Sequence, residues 1–487
     1  MPNKSIKKNY LFNVAYQILV LLIPLITAPY LSRVLQPDGI GTVSFAESIV
    51  SYFSLVAVMG ISTYGQREIS YVQNDIEKRS EVFWNTKVLS FIISGAIILL
   101  YLVFATLKKE DSVIYYILTL NLVAVFFDIT WFFQGMEDFA RTVTRNAVFK
   151  VLNIIYIFIF IKNKGDLNLY VLGLGLFSAL GNLSLWTYLP KYIKKVPFFR
   201  LRPFMNFKTV WSLFIPTIAI QIYTVLDKTM IGLITGSSYE NGYYEQALKI
   251  SKMLLTIVTA LISVMIPRMG LLFEQNRTDE IQRYMYRSYR FVWFLGIPLC
   301  FGMIMTSDNF VPWFLGRGYE KVGLLLKILP FLILAIGING VTGGQLLIPS
   351  KRQNLFSMTV TIGAAVNLLL NAVLIYCFES VGAAIASVAA EAVIAAVQLV
   401  CVRKEISIKK VVSNGIPYYI AGVVMVVCLI PLRNLLKPSV LNSLIMLCCG
   451  ATSYFAVLLL EKDEFFISNI RTMFSAIINN RGESVKK

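Results

Sequence analysis

"VLSFIISGAIILLYLVFATL" (Val88–Leu107) runs without a charged residue. A helix of about 20 residues is about 30 Å long, the thickness of a bilayer's hydrocarbon core. "IPYYIAGVVMVVCLIPL" (Ile416–Leu432) reads the same way, and similar blocks recur along the 487 residues. Apolar residues make up 57% of the chain and charged residues 15%, with a mean hydropathy of +0.68. Soluble domains sit nearer one half apolar and one quarter charged. The expected fold is therefore an all-α polytopic membrane protein with about 14 transmembrane helices. No small-residue cleavage pattern follows the first apolar segment, so no cleavable signal is expected.

The formal net charge is +18. Its distribution argues for topology rather than nucleic acid. Loops on one side carry about 29 Lys and Arg and the other side about 9, with the rich side including "NKSIKK", "KYIKKVPFFRLRPFMNFK" and "RKEISIKK". Both termini are expected in the cytoplasm. The chain has no histidine, and its six cysteines show no CxxC spacing. Histidine-based catalysis, histidine metal sites and zinc clusters are thereby excluded, and neither cofactor nor metal is expected. No connection exceeds about 20 residues, too short for a separate catalytic domain, so a non-enzymatic role follows.

Weak self-similarity divides the chain. "IGTVSFAESI" (Ile40–Ile49) aligns with "NGYYEQALKI" (Asn241–Ile250), sharing Gly41/Gly242, Ala46/Ala247 and Ile49/Ile250. "YVLGLGLFSALGN" (Tyr170–Asn182) aligns with "ESVGAAIASVAAE" (Glu379–Glu391). The expected organisation is an N-terminal six-helix lobe (1–200), a second six-helix lobe (201–405), and two further helices with a tail (406–487). An even helix number keeps the copies parallel, a transporter architecture. Pro24, Pro29, Pro216, Pro298, Pro330 and the "GINGVTGGQ" stretch (Gly337–Gln345) are expected to kink spans, as static bends or as gating hinges.

Charged residues inside spans mark the candidate site. At 100° per residue, Thr217, Gln221, Thr224 and Lys228 fall within about 60° on span 7, with Asp227 beside them. On span 8, Glu245, Lys249, Lys252, Thr256, Thr259 and Ser263 share about 80°. Span 2 carries Glu47 with Ser44, Ser51 and Ser54; span 1 carries Asn13, Gln17, Pro24 and Thr27 on one side and Arg33 at its end. Hydroxyl stripes also serve simple helix packing. Each lysine at mid-membrane, however, costs about 2.5–3.5 kcal/mol, which points to a water-filled space. Arg33, Lys228, Lys249 and Lys252 would make that space cationic, offset by Glu47, Asp227 and Glu245, and such a cleft concentrates anions. Glu391 sits alone among the alanines of span 12, either hydrogen-bonded or titratable for ion coupling. "QGMED" and "RTVTRN" (Gln134–Asn146) read as cytoplasmic surface, while Arg67, Lys87, Asp128 and Lys150 at inner helix ends read as snorkelling or paired groups.

Five stretches carry a family resemblance: Pro24–Phe53, "MGISTYGQREIS" (Met59–Ser70), "WFFQGMEDFARTVTRN" (Trp131–Asn146), "IQIYTVLDKTMIG" (Ile220–Gly232) and "GYYEQALKI" (Gly242–Ile250). Together they resemble the Wzx-type oligosaccharide flippases, in the superfamily of multidrug and toxin extrusion proteins and lipid II flippases. The resemblance implies two facing six-helix lobes with two extra helices. It also implies alternating-access transport of undecaprenyl-diphosphate-linked repeat units for capsule, O-antigen or exopolysaccharide, with cation-gradient coupling through Glu47, Asp227, Glu245 or Glu391. Arg33, Gln221, Thr224, Lys228, Lys249, Lys252 and Thr256 would line the substrate path. The implied setting is a bacterial plasma membrane, with membrane lipids, a polysaccharide polymerase and chain-length machinery as partners. Span 2 departs from the family pattern by carrying Glu47 instead of a cation. Export of drugs, metabolites or lipid II, and a membrane polymerase, are the competing readings.

Overall fold

A computed structural model describes residues 6–108 and 111–468; within these, the side chains of residues 6–21, 215–216, 219–220, 222–223 and 261 lie outside the description. Asn13, Gln17 and Pro216 therefore fall outside the described side chains. Among the described residues every regular element is helical: α1 (Ile6–Val58), α2 (Ile61–Tyr71), α3 (Ile76–Leu107), α4 (Ser112–Phe126), α5 (Thr130–Gly135), α6 (Phe139–Phe160), α7 (Leu167–Leu185), α8 (Phe207–Thr235), α9 (Ser238–Glu274), α10 (Thr278–Phe314), α11 (Glu320–Leu325), α12 (Phe331–Asn339), α13 (Gln353–Cys401), α14 (Ile408–Ser413), α15 (Ile416–Leu435) and α16 (Val440–Leu460). Ten helical stretches are long and apolar enough to cross a membrane. Two of them, in α1 and α13, each hold two spans meeting at a kink, at Gln36 (φ 60°) and Glu379 (φ 55°). With α8 and the apolar run Phe331–Leu347 added, the set matches the expected 14-helix reading.

The described chain forms two compact units, one reaching Glu245 and including Asn371–Ser380, the other holding Gln246–Leu370 and the residues from Val381 on. In the first unit α4 packs on α7, α3 and the α1 hairpin, around Tyr101, Leu118, Leu122 and Val171, all fully buried. An aromatic cluster of Phe83, Trp131, Phe132 and Phe133 fills the opposite end, where short α5 folds back against α2. The "QGMED" stretch is largely buried here rather than surface: Gly135, Met136 and Asp138 are shielded. Tyr192 donates to Asp138 Oδ2 at 2.6 Å, and burial, then the Asp138 carboxylate, pushes its phenol up to about 12. Six residues are too few for periodicity to reveal a buried face, which is why the sequence reading missed this one.

Lys87 is fully buried on α3. Its Nζ donates to the carbonyls of Phe126 (2.6 Å) and Asp128 (3.0 Å), under the rings of Phe91 and Trp186. An ammonium thus caps the C-terminus of α4, where the dipole is negative and carbonyls lack helical partners.

The two aligned stretches around Gly41 and Gly242 also meet within this unit. A methyl group on Gly41 would lie 1.6 Å from the Ser238 carbonyl oxygen, and one on Gly242 would lie 1.9 Å from the Pro37 carbonyl oxygen. Subtracting 37 from 238 and 41 from 242 gives the same offset of 201, so the contact is reciprocal between equivalent positions. Each copy enters the crossing from a residue with positive φ, Gln36 (60°) or Gly236 (63°). Only a side chain of hydrogen lets two helix backbones come this close.

In the second unit α10 carries the last two spans. Arg290 on α10 donates to Tyr418 on α15 (2.7 Å) and Asp463 beyond α16 (2.6 Å), and Tyr454 on α16 donates to the Phe294 carbonyl (2.9 Å). The glycine-rich stretch becomes a π-helix, Gly340–Leu347, continuing α12, with Gly343 against the Phe356 ring. Pro330 caps α12 instead of lying inside a span.

Replacing Lys87 with Met should strip the donor from two buried carbonyls and cost about 1–3 kcal/mol, read as a lower melting temperature in detergent. A Val at position 242 should part the crossing. Cysteines placed at 44 and 245 should then cross-link in the parent background and lose that cross-link with Gly242→Val.

Candidate functional site

Just beyond the glycine crossing, α8 and the start of α9 bring charged groups against the second half of α1. Lys228 Nζ lies 2.5 Å from Glu245 Oε2, with both side chains about one-fifth exposed (23% and 17%). Ser44 Oγ donates to the same carboxylate oxygen at 3.2 Å. Ser44 and Glu245 are 201 residues apart, the offset of the glycines, so this bond too joins repeat-equivalent positions. Glu47 and Asp227 also act electrostatically on Lys228, so one lysine sits in the field of three carboxylates.

Asp227 turns away from that pair. Its carboxylate accepts from Tyr244 Oη (2.5 Å) and from Asn371 Nδ2 (2.7 Å). Adjacent residues on a helix point about 100° apart, which separates the two charges into distinct bonding sets. Below them a hydroxyl relay links the helices: Thr229 Oγ1 donates to Ser48 Oγ at 2.9 Å and shares a 3.1 Å bond with Tyr52 Oη. Phe45 lies on Gly232, where a methyl would come within 2.1 Å of the ring.

The remaining candidates take different places. Thr217, Gln221 and Thr224 are exposed along α8, continuing the Lys228 face. Arg33 is exposed, and its guanidinium donates to the Pro29 carbonyl at 3.1 Å. Lys249, Lys252 and Thr256 follow on α9 past the first unit's boundary; Lys252 is exposed, Lys249 and Thr256 half-buried. Glu391 belongs to the second unit, where it is buried and accepts from Asn339 Nδ2. Among the described residues no group of three His, Cys, Asp or Glu is placed to hold a metal ion.

Sequence periodicity missed Tyr244, Asn371, Ser48 and Thr229 as partners. A polar residue breaking an apolar block, such as Asn371 within "LLLNAVLIY", was the available signal.

The family model described as polysaccharide biosynthesis protein matches residues 6–273, more than half of the chain and all of this cluster except Asn371. The chain belongs to the polysaccharide biosynthesis protein family. It is 23% identical over 387 residues to a Shigella dysenteriae protein provisionally named an O-antigen transporter, covering 78% of this chain and 96% of that relative. Its fold is similar to that of the lipid II flippase MurJ in an inward closed conformation, with a TM-score of 0.72, 17% identity, and 93% of this chain and 99% of that chain covered. It is also similar to an inward-facing multidrug resistance MATE family transporter of the MOP superfamily, with a TM-score of 0.59, 13% identity, and 81% and 98% covered. At these identities the structural likenesses establish the fold.

Lys228→Met should remove the ammonium 2.5 Å from the Glu245 carboxylate, at a cost of about 1–3 kcal/mol. Adding Glu245→Leu should recover most of that loss, because the carboxylate that the ammonium offset goes too. Thermal unfolding of the single and double variants, followed by tryptophan fluorescence, checks both outcomes.

Proposed function

We propose that this family member is a flippase that carries undecaprenyl-diphosphate-linked oligosaccharide repeat units from the inner to the outer leaflet of a bacterial plasma membrane by alternating access. The O-antigen transporter relative supports the substrate class. The observation that carries the mechanism is the Lys228–Glu245 pair, a lysine held by an internal carboxylate on the exposed polar face of α8.

A diphosphate is a stronger, multiply charged acceptor for the same ammonium. Its arrival would replace Glu245 as the partner of Lys228, with Gln221 and Thr224 adding hydrogen bonds and Lys249, Lys252 and Thr256 extending the polar face on α9. Arg33 adds a further exposed cation. A coupling cation would reset the carrier through one of the carboxylates Glu47, Asp227, Glu245 and Glu391. Such a cycle makes and breaks no covalent bond, so the protein acts as a transporter and not an enzyme. In this reading the Lys- and Arg-rich loops and both termini lie in the cytoplasm, the six-helix lobes span 1–200 and 201–405, and the partner polymerase and chain-length machinery act on the receiving side.

In a flippase-null strain at matched expression, Lys228→Gln, Lys249→Gln and Lys252→Gln should each lower surface polysaccharide, with Lys228→Gln lowest. Normal surface polysaccharide from all three variants would sink the proposal of a cationic substrate path.

A further inference from the structure

A second polar site lies in the first unit, away from the Lys228 cluster in sequence. It is a pocket of about 560 Å³ whose lining comes from α2, α5, α6, α7 and the turn before α5. That volume suits a small-molecule group. Arg145 braces it: the guanidinium donates to Asn182 Oδ1 (2.8 Å) and Thr130 Oγ1 (3.0 Å), and Asn182 donates in turn to the Ala124 carbonyl (2.6 Å). Gln134, Asn146, Asn153 and Lys150 add to the polar lining. The Asn153 side-chain oxygen is buried without a hydrogen-bond partner. Trp131, Phe149 and Phe177 supply ring surface to the same lining.

Polar groups gathered inside an apolar bundle cost stability unless something pairs with them. The offset of 209 that aligns Asn182 with Glu391 aligns Thr130 with Asn339, yet it aligns Arg145 with Asn354, so the aligned stretch of the second half carries no arginine at that position. The charges in the pocket are two cations, Arg145 and Lys150, against one carboxylate, Asp128. A bare diphosphate would be matched by concentrated positive charge. Three further carboxamides, Gln134, Asn146 and Asn153, each carrying donors and an acceptor in one plane, instead match a ligand dense in hydroxyls. Aromatic faces suit the apolar flank of a sugar ring, since each presents an apolar body beside polar edges.

We propose that this pocket is a saccharide subsite that holds a sugar of the lipid-linked oligosaccharide at the Lys- and Arg-rich end of the first unit. The proposal rests on the flippase reading and extends it: α8 takes the diphosphate, and α6 and α7 take the sugar.

The test uses the full-length protein in cells that make the cognate repeat unit. Phe149, Phe177 or, as a reference on the α8 stripe, Thr224 is replaced by photoreactive p-benzoylphenylalanine, and adducts are identified by mass. The expected result is a sugar-bearing lipid adduct at 149 and 177 that falls about tenfold when the first glycosyltransferase is deleted, and about tenfold in an Asn146→Ala, Lys150→Gln background. An adduct at 224 with none at 149 or 177 would overturn the subsite and leave the flippase reading standing. Adducts at 149 and 177 unchanged in the sugar-free strain would identify a phospholipid occupant and also overturn it. No sugar-bearing adduct at any of the three positions would overturn the flippase reading and the subsite together.

Discussion

The backbone contact between Gly41 and Gly242 is the constraint on which the candidate site depends. Each glycine faces the carbonyl four residues before its counterpart, Ser238 for Gly41 and Pro37 for Gly242. In lipid, helices gain little from hydrophobic association, so close van der Waals contact and interhelical hydrogen bonds hold them together. A crossing this tight fixes the register of both helices. One turn further along, the register places Ser44 opposite Glu245, and Glu245 then reaches Lys228. A side chain larger than hydrogen at either glycine would therefore disturb a charge pair it does not touch.

Charge in this bundle is handled by two devices. Lys87 is locked: its ammonium is fully buried and donates to two main-chain carbonyls at and just beyond the C-terminus of α4. Lys228 is paired instead with a side-chain carboxylate, on a helix face whose neighbouring polar residues are exposed. The desolvation cost of a charge in a low-dielectric interior is met in both places, by main-chain carbonyls in one and by a rotatable side chain in the other. Under the proposed transport cycle only the second partner would be exchanged for an anionic substrate.

The membrane class and the helix number were legible in the sequence because each rests on a local property. Apolar runs such as Val88–Leu107 need no tertiary context, and the Gly41/Gly242 and Asn182/Glu391 alignments survive as residue identities or positions. The polar stripe on α8 was legible for the same reason, since 3.6-residue periodicity belongs to one helix. Partners were not. The fold sets Glu245 against Lys228 and Ser44, both from other helices, a pairing that spacing along α9 does not reveal. Gln134–Asn146 read as surface because it is short and polar, yet α5 folds back and turns much of it inward.

The sequence alone thus determined that the chain crosses the membrane many times and which helix faces carry charge. Tertiary structure decided which charges meet. Spacing along a helix sets the direction of a side chain, but its partner depends on how closely another helix approaches. Here that approach is set by two glycines 201 residues apart and by the carbonyls they admit.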